Sequence, residues 1–434
     1  MNKYKESGIA WIGTIPQDWN VCRTKNKFIN LKRIVGDKHA ETERLALTLK
    51  GVIKRDKESA EGLQPEKFDT YQYLLKNELV FKLIDLNNIA TSRVGLSNYN
   101  GMVSPAYIIL KNNDLDNRFY YYYFLSMWHR NIFNALGDNG VRSSLNSEDL
   151  LNIPLLFTSV SEQTQIADFL DKKCSQIDEL VSLEEKEIEK LEEYKQSVIN
   201  KVVSQGLTNP PSTKESGIEW IGQFPNNWNI MRLKYIGKFS GGISSLKPDD
   251  FGSGYPFVNY KNVYKNYVLN QNIDEKVNTT VEERKKYDIK YGDLFFTGSS
   301  ETIDELGYSS VAMNDFPNAV YNGFCIRMRP YSFVNYSPKY FLYLTRSHIC
   351  RNYLSANDNS ITRANLSQSR LGGMPIIFPN IKEQEKAVEY LDNLCEKVNY
   401  LITIKQSKIQ NLQEYKKSMI YEYVTGKKRC IYGN

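Results

Sequence analysis

The chain has 434 residues, more than one ordinary hydrophobic core accommodates, so two or three domains are expected. It is 41% hydrophobic and 24% charged, as is typical of a soluble globular protein, and no apolar run is long enough for a transmembrane helix. The six cysteines lack metal-ligand spacing, and the N-terminal residues lack the apolar core of a secretion signal. These features argue against a zinc site, a disulfide framework and export, and we expect a cytoplasmic protein. The net charge of +6 is modest, so its distribution is more informative than its size.

A sixteen-residue phrase occurs twice in the chain. KESGIAWIGTIPQDWN begins at Lys5, and KESGIEWIGQFPNNWN begins at Lys214. We call these two copies, residues 5–20 and 214–229, the entry segments. Their shared Ser-Gly-Ile, Trp-Ile-Gly and Pro-x-x-Trp groups are turn formers with apolar anchors, and they contain no histidine or cysteine. We therefore expect buried structural joints there, formed by Trp11, Trp19, Trp220 and Trp228 with Ile12 and Ile221.

A second, longer duplication follows each divergent block. IPLLFTSVSEQTQIADFLDKKCSQIDELV from Ile153 matches MPIIFPNIKEQEKAVEYLDNLCEKVNYLI from Met374. The match continues through LEEYKQSVI at Leu191 and LQEYKKSMI at Leu412. The chain is therefore divided into a first variable domain (1–157), a first helical spacer (158–207), a second variable domain (208–378) and a second helical spacer (379–434).

The duplicated segments predict two long helices that pack on each other. Apolar residues recur at steps of three and four over about four heptads in each copy, with an N-cap expected at Ser161 in the first and an extended segment ending at Asn380 before the second. Helices of some forty residues would be roughly 60 Å long. The residues predicted to pair, including the polar interruptions Glu184 and Lys405, are Leu170, Ile177, Val181, Glu184, Ile188, Leu191, Leu391, Val398, Ile402, Lys405, Ile409 and Leu412.

The two predicted helices are expected to be antiparallel, because a tandem duplication can fold with an internal two-fold axis. Glu184 and Lys405 would then lie near the midpoint of the stripe, where their opposite charges predict a close approach. The alternative is that each helix packs as an ordinary amphipathic helix on its own domain.

The variable blocks hold the positive charge. Residues 161–201 have a net charge of −5, and residues 382–422 have a net charge of zero. The rest of the chain therefore has a net charge of +11. Lysine and arginine interleaved with tyrosine, asparagine and serine suit contacts with phosphates and base edges. Runs such as NELVFKLIDL at Asn77 and YPFVNYKNVYKNYVL at Tyr255 predict short strands, so the fold class is α+β with two strand-rich domains. The tyrosines of YYYYF are expected to fill a core.

We find no convincing catalytic constellation. NPPS at Asn209 resembles an adenine-methyltransferase loop, but Ser212 replaces the aromatic residue and the segment is better explained as a linker. KPDD at Lys247 is a weak match to a nuclease metal site, and TGKK at Thr425 lacks a glycine-rich phosphate loop. We therefore expect no catalytic residue, no metal site and no bound cofactor on this chain.

The twofold order of motifs resembles the DNA-specificity subunit of type I restriction–modification enzymes. The entry segments, the duplicated helices, GMVSPAYIIL at Gly101, GDLFFTGSSE at Gly292, GVRSSLNSEDLLNIPLL at Gly140 and ITRANLSQSRLGGMPII at Ile361 carry this resemblance. It implies that each variable block is a target-recognition domain for one half of a split double-stranded DNA sequence, and that the paired helices separate the two domains. It also implies two modification (methyltransferase) subunits as partners, and restriction subunits for translocation and cleavage. S-adenosylmethionine, ATP and Mg²⁺ would then be bound by those partners.

The residues that contact DNA are chosen from polar stretches of the variable blocks. In the first block they are Ser92, Arg93, Arg142, Ser143 and Ser144, and in the second they are Lys261, Asn262, Ser299, Ser300, Thr362 and Arg363. Arg142 and Arg363 occupy matching positions in otherwise divergent blocks. This match also fits a shared role in the fold or in phosphate contact.

Two other functions stay open at this point. One is a helical scaffold that recruits other proteins and shows no sequence-specific DNA binding. The other is a DNA methyltransferase or nuclease with a cryptic site, which would modify DNA without partner subunits. The DNA target and its half-site spacing are not specified by the sequence.

Overall fold

The computed structural model describes residues 4–59, 67–88, 90–112, 114–137, 143–208, 212–302, 305–356 and 364–430. The chain divides into two compact units, which we call unit 1 (residues 1–185 and 406–434) and unit 2 (residues 186–405). Within the described part of the chain, no helix is both long enough and apolar enough to cross a membrane.

Unit 1 contains twelve strands among its described residues. They are β1 (Tyr4–Glu6), β2 (Thr14–Pro16), β3 (Asn20–Arg23), β4 (Ile29–Asn30), β5 (Leu45–Thr48), β6 (Gly51–Lys54), β7 (Gln72–Leu74), β8 (Leu79–Phe81), β9 (Val94–Leu96), β10 (Gly101–Val103), β11 (Ile108–Lys111) and β12 (Pro154–Phe157). The central sheet has the order β4-β11-β8-β9, and all its neighbours are antiparallel.

Unit 2 repeats this arrangement with additions. Its strands are β13 (Thr213–Glu215), β14 (Gln223–Pro225), β15 (Asn229–Arg232), β16 (Gly237–Gly241), β17 (Phe251–Val258), β18 (Lys276–Val277), β19 (Leu294–Thr297), β20 (Ser299–Ser300), β21 (Ser309–Val311), β22 (Val320–Tyr321), β23 (Cys325–Pro330), β24 (Ala364–Asn365) and β25 (Pro375–Phe378). The central sheet β16-β23-β19-β21 matches that of unit 1, and the sheet β18-β17-β22 is an addition. The two domains therefore share a frame although their sequences diverge.

The α-helices are α1 (Asn117–His129), α2 (Ile132–Leu136), α3 (Ser147–Asn152), α4 (Val160–Gln205), α5 (Tyr260–Lys265), α6 (Val281–Lys286), α7 (Pro338–Arg346), α8 (His348–Ala356), α9 (Gln368–Gly373) and α10 (Ile381–Val424). Short 3₁₀ turns lie at Thr24–Asn26, Gly36–Ala40, Leu233–Tyr235 and Pro248–Asp250. The α+β fold class is confirmed, and α4 and α10 occupy the two predicted spacers. The predicted domain boundaries stay predictions, and each unit contains part of both long helices.

The entry segments form the joints at which each domain meets its helices. Trp19 and Trp228 are buried, whereas Trp11 and Trp220 are only half-buried. The Trp19 indole Nε1 donates to Glu162 Oε2 of α4 at 2.9 Å. The prediction of buried joints is therefore confirmed for Trp19 and Trp228. Trp11 and Trp220 are buried only in part.

Each long helix ends at a glycine that packs on one of these tryptophans. Gly206 follows α4 with a φ of 84°, and Gly426 follows α10 with a φ of 71°, a region that disfavours side chains. A Cβ on Gly206 would lie 3.4 Å from Trp228, and one on Gly426 would lie 3.4 Å from Trp19. Glycine thus satisfies both the left-handed backbone and the close approach of the indole.

The duplicated Glu-Gln pair clamps a helix of each domain onto its long helix. Gln163 and Gln384 are fully buried. Gln163 Oε1 accepts from the backbone N–H of Asp116, the N-cap of α1, at 3.2 Å. Gln384 Oε1 accepts from the N–H of Ser337, the N-cap of α7, at 2.9 Å. The duplicated motif therefore fixes the start of a domain helix against the start of a long helix.

The same joint is reinforced about two turns further along each long helix. The Tyr122 hydroxyl donates to Asp171 Oδ1 at 2.8 Å, and the Tyr343 hydroxyl donates to Asp392 Oδ1 at 2.7 Å. Burial is the main cause that raises the pKa of both tyrosines, so both hydroxyls keep their protons. The tyrosines at positions 120, 122 and 123 are buried, which confirms that the YYYYF run fills a core.

Helices α4 and α10 run antiparallel in each unit. In unit 1 Asp178 pairs with Lys416 at 2.6 Å, and Glu184 pairs with Lys408 at 2.6 Å. In unit 2 Glu187 pairs with Lys405, and Lys195 donates to Asn399 at 3.0 Å. In both units the partner number falls as the number along α4 rises, which confirms the antiparallel prediction.

The predicted stripe residues are buried or half-buried in both helices. In unit 1 Leu170 and Ile177 of α4 share a core with Met419 and Ile420 of α10. In unit 2 Ile199 of α4 shares a core with Leu391 of α10. The polar interruptions Glu184, Lys195, Lys405 and Lys416 are the residues that pair with the facing helix.

Three local predictions differ from the structure or stay open. The first long helix starts at Val160, because Ser159 and not Ser161 accepts from the Glu162 N–H, at 3.3 Å. Lys261 and Asn262, placed in a strand-forming run, lie in α5. The approach of Glu184 to Lys405 joins residues of different units and stays a prediction.

Candidate nucleic-acid interface

The third strand of each central sheet starts at the same kind of turn. Asn77 precedes β8 with a φ of 67°, and Gly292 precedes β19 with a φ of 84°. The carboxylate that follows each turn is buried, as Glu78 in unit 1 and Asp293 in unit 2. Glu78 pairs with Arg33, and Asp293 Oδ2 lies 2.6 Å from Arg329 Nη2. These turns fix where the strands begin, and therefore where their far ends emerge.

At the far end of β8, separate stretches of unit 1 meet. The Leu145 N–H donates to the Leu83 carbonyl at 2.9 Å, and the Leu86 N–H donates to the Ser143 carbonyl at 3.0 Å. The Lys82 N–H donates to the Arg93 carbonyl at 3.0 Å. The predicted polar stretch 91–93 and the described residues 143–144 of the second predicted stretch are thus brought to the same loop.

At the far end of β19, unit 2 has the same joint. The Leu366 N–H donates to the Gly298 carbonyl at 2.9 Å, and Ser299 pairs with Asn365 in the β20–β24 ladder. The Tyr260 hydroxyl of α5 donates to the Ser299 carbonyl at 2.9 Å. Helix α5, strand β20 and the chain entering α9 are therefore neighbours in space, although α5 ends at Lys265, β20 ends at Ser300 and α9 begins only at Gln368.

The two joints have the same register and different side chains. The Leu145 N–H donates to the carbonyl of Leu83, which lies two residues after the buried pair Val80-Phe81. The Leu366 N–H donates to the carbonyl of Gly298, which lies two residues after the matching pair Phe295-Phe296. Around this shared joint, unit 1 places the half-buried Lys82 and Thr91 and the exposed Ser144, whereas unit 2 places the buried Thr297, the half-buried Tyr260 and the exposed Lys261. A constant backbone that displays variable polar groups is the arrangement that sequence-selective recognition requires. We call these two surfaces the reading joints.

The predicted residues of unit 1 differ in their exposure. Ser144 is exposed, whereas Ser92, Arg93 and Ser143 are buried. The Ser92 hydroxyl donates to the Val94 carbonyl at 2.7 Å. Among the described members of this set, Ser144 is therefore the one whose side chain is open to a ligand.

Arg93 is fully enclosed and supports the loop. Its guanidinium donates to the carbonyls of Ile84 at 3.4 Å and Asp85 at 2.7 Å, and also to that of Asn88. Burial lowers the pKa of Arg93, and Asp85 opposes that shift. With its two terminal nitrogens donating to backbone carbonyls, Arg93 cannot reach a base in this structure, and it acts on the reading joint through the loop it holds.

The predicted residues of unit 2 also fall into two groups. Lys261 is exposed and Asn262 is half-buried, with its Oδ1 accepting from the Asn259 N–H in a capping box at 2.8 Å. Ser299 and Ser300 are buried, and Ser300 Oγ accepts from the Thr302 N–H at 3.3 Å. Arg142, Thr362 and Arg363 lie outside the described residues, next to the reading joints in sequence.

An aromatic stack lies beside the reading joint of unit 2. The ring centroids of Tyr260 and Tyr264 are 5.9 Å apart, and those of Tyr264 and Tyr308 are 5.5 Å apart, with interplanar angles of 18° in both pairs. The Arg346 guanidinium lies 5.2 Å from the Tyr308 centroid. The stack holds α5, which bears Lys261, against the strands of the joint.

Lys82 is a residue of the reading joint that no local sequence pattern singles out. It lies between apolar residues in NELVFKLIDL, and this run predicts an ordinary strand. In the structure it follows β8 directly, is half-buried, and donates from Nζ to Thr91 Oγ1 at 3.2 Å. Lys82 differs from a solvated lysine because the stretches around Arg93 and Ser143 meet its loop at the end of β8, and this meeting is visible only in the folded chain.

Groups of three or more histidine, cysteine, aspartate or glutamate side chains arranged for a metal ion do not occur among the described residues. The six cysteines are free thiols. Burial raises the pKa of Cys174 to about 11, which keeps this thiol protonated at neutral pH.

The chain is similar to known proteins along most of its length. The model of the type I restriction modification DNA specificity domain matches residues 52–193 and 225–414. The MjaVIII specificity subunit of a type I restriction enzyme from Methanocaldococcus jannaschii is 24% identical over 99% of this chain and 98% of that protein. The putative MjaX specificity subunit from the same organism is 28% identical over 63% of this chain and 68% of that protein.

A solved structure shares the fold. A chain from a study of complex assembly and conformational transition of the type I R-M system aligns with a TM-score of 0.68 at 14% identity. The alignment covers 95% of this chain and 99% of that one. Because the family model matches both divergent blocks and the long helices, the chain belongs to the type I restriction–modification DNA-specificity family, as a specificity subunit.

Proposed function

We propose that the chain is the non-catalytic reader of a bipartite double-stranded DNA target, with one half-site read by each unit. The observation that carries this proposal is the pair of reading joints, which have the same backbone hydrogen bonds and different exposed polar groups. Among the predicted residues that the structure describes, Ser144 in unit 1 and Lys261 in unit 2 are exposed at these joints. Differences between them would give each unit its own sequence preference.

The paired helices would serve as the spacer of the bipartite target. Their ionic pairs and shared apolar stripe support a stiff connection in each unit. Half-sites on one face of a duplex repeat every helical turn, roughly 34–36 Å, which lies within the reach of helices of this length. A stiff spacer would make the two half-sites bind as a unit, so that neither alone gives full affinity.

Chemistry would be supplied by partner subunits. We propose that two modification subunits, which use S-adenosylmethionine, and restriction subunits, which use ATP and Mg²⁺, assemble on this chain. The membership of the chain in the specificity family supports this assignment. Because α4 and α10 each contribute residues to both units, we propose that the partner subunits contact these two helices.

The proposal is tested by sequencing methylated DNA from cells that express this chain with its modification subunit. The expected motif has two specified half-sites separated by a fixed unspecified gap. Ser144→Asn should change the preference in one half-site only, and Lys261→Gln should change the other half-site only, so each variant serves as the control for the other. A contiguous motif, or changes in both half-sites from either variant, would contradict the proposal.

A further inference from the structure

The best-supported new site is centred on Lys82 in the reading joint of unit 1. Lys82 directly follows β8, where the loop at residues 82–88 meets the stretch around Ser144. Lys82 is half-buried, and Thr91 Oγ1 accepts from its Nζ at 3.2 Å. The side chain is therefore oriented, unlike that of a freely rotating surface lysine.

The surroundings of Lys82 are rich in positive charge. Among the described residues, no carboxylate lies within ion-pair distance of Nζ, and the hydrogen-bonding partner Thr91 is neutral. Burial, Arg93 and Arg55 all lower the pKa of Lys82, and the carboxylate of Asp85 only partly opposes them. Holding a cation here costs folding free energy, because desolvation and like-charge repulsion both disfavour it.

The matching position in unit 2 shows that the fold does not require this charge. Thr297, at the end of β19, occupies the position that Lys82 occupies directly after β8. The Thr297 N–H donates to the Tyr308 carbonyl at 2.9 Å, and the Lys82 N–H donates to the Arg93 carbonyl at 3.0 Å. Thr297 is fully buried and neutral. The same joint is thus built with a hydroxyl in one unit and a cation in the other, so the lysine serves something besides folding.

We propose that Lys82 binds a backbone phosphate of DNA, with the Thr91 hydroxyl orienting its ammonium. This inference rests on the proposed function and deepens it, because it assigns a positioning contact to unit 1. A phosphodiester would supply the negative charge that the site lacks, and a compact ammonium suits a phosphate better than a base edge. The contact carries no sequence information, so it sets affinity and not target choice.

The test measures DNA affinity of the full chain against salt concentration, using a panel of labelled duplexes of unrelated sequence. Lys82→Met and Lys82→Thr each remove the charge, and the second introduces the residue found at the matching position of unit 2. The control is Lys76→Met, which removes an exposed lysine just before β8, at its opposite end. Thermal unfolding of every variant is measured in parallel.

Both Lys82 variants should weaken binding to every duplex by a similar factor. They should reduce the slope of log affinity against log salt by about 0.9, as expected for the loss of one phosphate contact. Their midpoints of thermal unfolding should equal or exceed that of the wild type, because a repelled cation is removed. Lys76→Met should leave the slope unchanged.

The outcomes separate this inference from the proposed function. If the wild type binds no duplex in this panel or in a selected pool, the proposed function fails. If the wild type binds but the Lys82 variants keep its salt slope, the phosphate contact is refuted while the proposed function stands. Unchanged DNA affinity with loss of modification-subunit binding would instead assign Lys82 to a protein partner and overturn the inference.

Discussion

Glu184 Oε1 accepts a hydrogen bond from Lys408 Nζ at 2.6 Å, between the two long helices in unit 1. The Glu184 side chain is 10% exposed and that of Lys408 is 55% exposed, so the pair is partly shielded from solvent. Because exposed ion pairs contribute about 0.2–1 kcal/mol, the coupling should lie near the top of that range. Glu184→Gln and Lys408→Met, combined in a double-mutant cycle, should give about 0.5–1 kcal/mol in urea unfolding.

The control for this cycle is Glu185→Gln with Lys408→Met. Glu185 is an exposed neighbour on the same helix, so its coupling to Lys408 should be close to zero. The Glu184 coupling should also shrink at high salt, where charges are screened. Equal coupling for Glu184 and Glu185 would mean that the observed ion pair does not stabilise the helix pairing.

Gln163→Leu should loosen the joint of unit 1. The substitution leaves the Asp116 N–H and the Thr158 carbonyl without the amide that now satisfies them at 3.2 and 2.8 Å. Each unsatisfied buried group costs about 1–3 kcal/mol, so the loss should be about 2 kcal/mol or more. Hydrogen exchange should accelerate in α1, while α7, held by Gln384, serves as an internal reference. Gln165→Leu, on the exposed face of α4, should have little effect, and similar acceleration from both variants would argue against the clamp.

His129 should make unit 1 sensitive to mild acid. Burial, followed by Lys417 and Lys416, lowers the pKa of His129 to about 4, whereas an unfolded chain has a histidine pKa of about 6.5. The unfolded state therefore takes up the proton first as pH falls, so stability is lost from about pH 6.5 down to about pH 4. Between pH 7 and pH 5 the wild type should lose more stability than His129→Gln. Parallel pH profiles for the two proteins would contradict this assignment.

Arg93 and Ser144 should differ in their effect on DNA recognition. Arg93→Ala removes charged hydrogen bonds to loop carbonyls, and hydrogen bonds to charged groups contribute about 1.5–3 kcal/mol each. We expect a clear loss of unfolding free energy and weaker binding to every duplex. Ser144→Ala should leave unfolding unchanged and alter the ranking of duplexes. A stable Arg93→Ala protein with a changed preference at one base pair would show that Arg93 reads DNA directly.

The sequence predicted the large features because they repeat. The apolar period of α4 and α10 predicted that the two helices pair, since a stripe of that length has few other ways to be buried. The tandem duplication predicted that the pairing is antiparallel. The entry segments predicted joints at Trp19 and Trp228 for the same reason. These inferences depend on local periodicity and on the duplication, both of which are visible in one dimension.

The reading joints could not be predicted with the same success. The exposure of Ser144 and the burial of Arg93 depend on which strands end side by side, and no local pattern carries that information. The Asn259 cap converts a strand-forming run into α5, which changes the direction of Lys261. Lys82 could not be predicted because the repulsion between its ammonium and the Arg93 guanidinium arises only when the fold brings these two residues together, and they are eleven residues apart in sequence.

The most direct measurement of the central claim is selection of DNA by the full chain, with its modification subunits, from a pool of duplexes with randomised interiors. The account predicts enrichment of two short specified elements at one fixed separation, and loss of enrichment when that separation changes by a few base pairs. Enrichment of a single uninterrupted element, or of two elements at any separation, would contradict a target read by two units on a stiff spacer.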